Sequence, residues 1–239
     1  MSTVTTSTTM AAKPVITSGK ELAAFFTTNL ISEHPFFKRP DNRNLGYISV
    51  IMENGRELDI TGFLARLISI ANNIEVRCKL VPQLYDELGC GNSQNIHIKL
   101  IGRYLNAVKP YSKVHPDDLQ KLEGAYVKLG IIYRRLFKES SYYEALGVAV
   151  ANELVVQPIF EYLKDVTLNS SHPLNADDLL WITSHNELEE GHVEDSFELA
   201  ALIPNNESSL NSAMDAAYEL YVGIWNFFDT VNEIRLMQE

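Results

Sequence analysis

The sequence predicts an all-α fold, a single bundle-like domain of about seven helices. Apolar residues recur at helical spacing through long stretches. Glycine and proline are sparse and gather mainly at the edges of those stretches. No internal repeat, low-complexity linker or shift in composition divides the chain.

In order, helices are expected over 19–32, 59–88, 93–108, 116–137, 140–166, 176–202 and 208–237. Breaks fall at 35–44, 89–92, 109–115, 169–175 and 204–206. Asp177 and Asp178 sit near the start of one helix, where carboxylates suit the dipole. One short alternating run, 46–52, is the only strand candidate. Residues 1–18 read as a flexible tail, rich in Ser and Thr at its start, and 19–239 as the domain.

With 239 residues, 46% of them hydrophobic, the chain can bury a sizeable core. Its net charge of −11 repels phosphate backbones, and no Lys/Arg run offsets it, so a nucleic-acid partner is not expected. No stretch reads as a membrane span, and the N-terminus lacks the basic and apolar regions of a signal peptide. Cys78 and Cys90 are too few for a disulfide framework, so a reducing cytoplasm is the expected compartment.

The chemistry lies in three segments. In the run from His185 to His192, a helix turning about 100° per residue puts His185, Glu189 and His192 within about 60° of one another. Two imidazoles and a carboxylate on one stripe favour a metal over a merely polar face. Glu187 and Glu190 point elsewhere. Glu153 sits mid-stripe among Leu146, Ala149, Val150, Val156, Gln157 and Phe160. An unpaired buried carboxylate costs several kcal/mol or takes up a proton. A buried Tyr or Arg could satisfy it, and a cation would do so more completely. Glu87 ends one helix and His97 lies in the first turns of the next, across the 89–92 turn, so an acid and an imidazole are presented from either side of a corner. Helix capping and half-buried packing are the plain alternatives for this pair. Oxygen and nitrogen donors without cysteine suit iron or manganese better than a structural zinc.

Together these residues resemble the haem-oxygenase-like di-iron oxidase family. Its pattern is a Glu and a His near a helix corner, a Glu on the next core helix, then H-x-x-x-D/E-x-x-H. Glu87, His97, Glu153, His185, Glu189 and His192 match it in order and spacing, and the resemblance spans about 62–202. Glu189 stands where most relatives carry Asp, a longer arm that can reach or bridge differently. The resemblance implies a haem-oxygenase-like helical domain, these six residues as ligands, two ferrous ions per chain and dioxygen as co-substrate.

Within the family the sequence looks most similar to a member that turns a brominated tryptophan into an indole-3-carbonitrile. The implied substrate is then an amino acid, whose α-amine nitrogen is kept and whose carboxyl carbon is lost. Candidates for an indole slot are Tyr142, Tyr143, Trp181 and Phe197; candidates to hold a carboxylate are Arg103, Arg134 and Arg135. Oxidative C–C or C–N cleavage of another amino acid or a fatty acid is the alternative within the family. A metal-free, thiaminase-like enzyme with Cys90 as nucleophile is the alternative outside it. A homodimer is compatible with either. The acidic run Glu187, Glu189, Glu190, Glu194 and Asp195, with Gly191 inside it, leads us to expect poor order around 185–192 without metal and regular helix with it.

Overall fold

The computed structural model describes residues 9–55, 58–172 and 174–237, with the side chains of 54, 55, 184–190 and 192 outside that description. Among the described residues the fold is all-α. Its helices are α1 (Gly19–Thr28), α2 (Pro35–Lys38), α3 (Leu45–Gly55), α4 (Ile60–Ile70), α5 (Ile74–Glu87), α6 (His97–Val108), α7 (Pro116–Lys138), α8 (Tyr142–Leu168), α9 (Ala176–Ala201) and α10 (Glu207–Glu233). Short 3-10 turns join some of them. The only β pairing described is an isolated antiparallel bridge between Val114 and Leu236.

The centre of the domain is α8. Residues from Ala145 to Ala151 are buried without a gap, and burial continues through Leu154, Val155, Ile159 and Phe160. A helix apolar all round must be surrounded, and α1, α9 and α10 pack on it. Gly147 permits a close crossing: a Cβ there would lie 2.2 Å from the Ala213 carbonyl oxygen of α10. Contrary to the expectation that no stretch reads as a membrane span, α8 is the one described helix long and apolar enough to cross a membrane, and most of that stretch is buried inside the domain. A capping box starts it, with Ser141 and Glu144 each bonding the other's backbone.

Three departures from the sequence expectation explain the larger helix count among the described residues. The run expected as one helix over 59–88 is two, because Asn73 accepts a hydrogen bond from Glu75 N and caps a new helix there. The strand candidate 46–52 is helix α3. Tyr47, Ile48, Val50, Ile51 and Met52 are all buried, so this run shows no polar face from which a period could be read. Within the expected 35–44 break lies the short α2. Of the stretch expected as a tail, Ile16 is buried and the Ala11 carbonyl accepts a hydrogen bond from the Tyr218 hydroxyl, so this part lies against α10.

The backbone of α9 is continuous helix through 184–192. Its acidic end is met from outside. Lys79 of α5 bonds Asp195 at 3.0 Å and also pairs with Glu198. The helix that carries Glu87 is thereby tied to the helix that carries the His185–His192 motif.

Candidate functional site

The Glu87–His97 pair is built by its corner. Helix α5 ends at Glu87, and Gly89, Cys90 and Gly91 all adopt positive φ, at 79°, 52° and 84°. Glycine takes this conformation freely. At Gly89 a Cβ would in addition meet Asn95 C at 2.6 Å and Ile96 N at 2.7 Å. The chain reverses, and α6 begins at His97 itself. As a result His97 Nδ1 lies 3.0 Å from Glu87 Oε2, with the imidazole buried and the carboxylate largely so.

Both residues line a cavity of about 420 Å³, a size suited to a small organic ligand. Glu153, half-buried in mid-α8, lines the same cavity. Much of the remaining wall is apolar or aromatic, including Ile101, Leu129, Val156, Phe160, Phe227 and Phe228. Trp181 and Val193 close it from α9. Trp181 packs edge-on to Phe160, with ring centroids 5.2 Å apart.

Three sequence-predicted ligands, Glu87, His97 and Glu153, thus share one cavity. The side chains of the other three, His185, Glu189 and His192, lie outside the described residues. Their backbone positions can be stated. Positions 181, 185, 189 and 193 are spaced four apart on one continuous helix, so 185 and 189 fall on the face whose ends, Trp181 and Val193, reach the cavity. Among the described residues no three His, Cys, Asp or Glu side chains gather tightly enough to hold an ion.

Of the residues considered for substrate binding, only Trp181 lines the cavity. Tyr142 and Tyr143 lie on the first turn of α8 with tilted rings 4.9 Å apart, and Phe197 is partly exposed. Arg103 donates to the Gln94 carbonyl, Arg134 is exposed, and Arg135 pairs with Glu219 and Glu144. No Lys or Arg among the described residues lines the cavity. The sequence reading passed over Tyr133, Asn152, Phe227 and Phe228. Tyr133 is the one polar member of the α7 stripe Leu122, Ala125, Leu129, Tyr133 and Leu136, and that stripe is the signal that could have found it.

Cys90 is exposed in the corner and is not part of the cavity wall. Its thiol hydrogen-bonds Asp86 at 3.3 Å, and that neighbouring carboxylate raises its pKa. A nucleophilic cysteine needs the opposite, a stabilised thiolate.

Glu87, His97 and Glu153 give the cavity donors chemically suited to iron, two carboxylates and an imidazole in largely apolar surroundings with Glu87 and His97 already 3.0 Å apart, and Asp59 lines the same cavity. The family model for iron-containing redox enzymes matches residues 57–221. The fold is similar to the crystal structure of a CADD-like protein of unknown function from Nostoc punctiforme. That likeness has a TM-score of 0.66 at 13% identity, and covers 90% of this chain and 97% of the other. At that identity the likeness speaks for the fold alone. No curated protein matches the sequence.

Proposed function

The chain belongs to the family of iron-containing redox enzymes, and from that premise we propose that it is a non-haem di-iron oxidase that uses dioxygen to oxidise an amino acid. The observation that carries this reading is the meeting of Glu87, His97 and Glu153 in one apolar cavity beneath the α9 face that bears positions 185 and 189. In this reading Glu87, His97 and Glu153 provide one part of the ligand set, and His185, Glu189 and His192 the rest. Two ferrous ions, when bound, supply electrons for the reduction of dioxygen.

The protein's own part is positional. The 89–91 corner fixes the acid and the imidazole from two helices in one place. Helix α8 holds Glu153 on a rigid, buried scaffold. The aromatic wall of Phe160, Trp181, Phe227 and Phe228 excludes water and offers flat surfaces to an aromatic substrate. These walls favour an indole amino acid, and conversion of a tryptophan, brominated or not, to an indole-3-carbonitrile is the specific reaction we put forward. Oxidative cleavage of another amino acid or a fatty acid would use the same centre. The exposed, protonated Cys90 thiol disfavours a metal-free cysteine mechanism.

The test is anaerobic loading with ferrous iron, then exposure to dioxygen with tryptophan, bromotryptophans, other amino acids and fatty acids, with products identified by mass spectrometry. Conversion of an indole amino acid to the indole-3-carbonitrile, two carbons shorter with the carboxyl carbon among those lost, supports the reading. Iron binding without consumption of any amino acid overturns the substrate, and failure to bind iron overturns the centre.

A further inference from the structure

Tyr133 is 6% exposed, on α7, and lines the same cavity as Glu87, His97 and Glu153. Its ring is held edge-on to Phe137 at 5.2 Å. Its hydroxyl makes no hydrogen bond among the described residues, yet is not one of the polar atoms sealed from all open space. The cavity is the open space that the Tyr133 side chain borders. Of the other deeply buried tyrosines, Tyr47, Tyr104 and Tyr162 each place the hydroxyl on a protein oxygen, whereas Tyr221 of α10, which does not line this cavity, has no hydroxyl hydrogen bond among the described residues either. A buried hydroxyl without a partner is costly, and a phenylalanine would fill the same volume without that cost. Burial also drives the Tyr133 pKa upward, so the phenol stays neutral and keeps its proton to donate.

The cavity's charges say what the phenol meets. Asp59, Glu87 and Glu153 bring carboxylates, and no Lys or Arg among the described residues lines the wall. A ligand carboxylate entering here finds no described side-chain cation, and neutral donors are what the wall provides, Tyr133 from α7 beside Thr61, Asn152 and Gln157. We propose that Tyr133 is a substrate-binding residue whose phenol donates a hydrogen bond to the carboxylate of the amino acid held in the cavity. This rests on the reading of the cavity as the chamber of an amino-acid oxidase. Tyr133 would then select for an acid, and its hydrogen bond would fix the orientation of the bound chain.

The experiment uses the full chain, with and without ferrous iron, under anaerobic calorimetric titration. The probes are L-tryptophan, indole-3-propionate, which lacks the amine, and tryptamine, which lacks the carboxylate. Tyr133→Phe should weaken both acids by about three- to tenfold, the loss of one hydrogen bond. Tryptamine affinity should be unchanged. The melting temperature of the ligand-free variant should be equal to or above that of the wild type, because no protein bond is broken. Unchanged affinity for the acids, or equal weakening of all three probes, overturns the proposal. So does a fall in ligand-free melting temperature, which would give the hydroxyl a structural partner. Val156→Phe, which adds bulk to another part of the wall, separates this failure from that of the wider reading. If Val156→Phe blocks the probes while Tyr133→Phe does not weaken them, the chamber stands and the role of Tyr133 falls. If wild type and Val156→Phe bind alike, or no probe binds the wild type, the chamber reading falls and takes this proposal with it.

Discussion

His97 Nδ1 and Glu87 Oε2 stand 3.0 Å apart because three consecutive positive-φ residues turn α5 back onto the start of α6. An acid and an imidazole from different helices are thereby held with little freedom, and rigid elements position ligands better than loops do. Binding to a metal would add a shared cation between them. Protein reconstituted with ferrous iron should hold about two irons per chain. His97→Ala, Glu153→Ala and His192→Ala should each lower that number and abolish turnover. Colorimetric iron analysis after gel filtration measures it, and full iron retention by these variants would refute the assignment.

The corner itself can be broken without touching a ligand. Gly89→Ala forces a Cβ to within 2.6 Å of backbone atoms, at a φ of 79° that L-residues rarely adopt. The cost of left-handed backbone alone is about 1–2 kcal/mol, and the clash adds to it. We expect a lowered melting temperature and weaker iron retention, with Glu87 and His97 both still present. Gly91→Ala is the control. Its φ is similar, at 84°, but its nearest neighbour is the Tyr85 hydroxyl at 3.4 Å, so its effect should be the smaller.

These residues also mark what could be read in advance. Glu153 was legible because a carboxylate in an apolar stripe needs a reason. Glu87 and His97 were legible because the glycines between them announce a corner. Helix α3 was not, since residues buried on every side erase the period that separates helix from strand. The break before α5 was carried by the cap at Asn73, a single hydrogen bond with no apolar signature. Tyr133 and Phe227 come to the cavity wall from α7 and α10, far apart in sequence from each other and from the ligand motifs. Lys79, which meets the acidic end of α9, is likewise invisible to a charge count within that helix.

His34 supplies a pH-dependent part of stability. Its ring is fully buried against Trp225, its Nδ1 accepts from Phe36 N, and its Nε2 faces Asp229 at 3.0 Å. Burial lowers its pKa, opposed by Asp229. The unfolded chain therefore takes up a proton at higher pH than the folded one. Its contribution is present above the ordinary histidine pKa of about 6.5 and is lost as pH falls through the lowered folded value. The stability gap between wild type and His34→Gln, from denaturant titrations, should accordingly shrink between about pH 7.5 and 5. A gap that is constant or widens on acidification would contradict this.

Helix α9 joins composition to regulation of the site. Between 186 and 195 the sequence carries five carboxylates and no Lys or Arg, and like charges at helical spacing cost a few tenths of a kcal/mol per pair. Gly191 subtracts about 1 kcal/mol more relative to alanine. Support comes from Lys79 at the C-terminal side of the segment, and the expected ligands His185, Glu189 and His192 would draw further support from metal. Amide hydrogen exchange across 185–192 should therefore be faster without ferrous iron and slower with iron and substrate. Lys79→Ala should speed exchange in the metal-free chain. Gly191→Ala should slow it, because nothing lies within 4 Å of the added Cβ and the change acts only on the helix's intrinsic stability. If the segment orders on binding, Gly191→Ala should also tighten iron affinity, since less ordering remains to be done when the metal arrives. Strong and equal protection with and without iron, unaffected by either substitution, would mean that this half of the centre is preformed, and α9 would then take no part in gating the reaction with dioxygen.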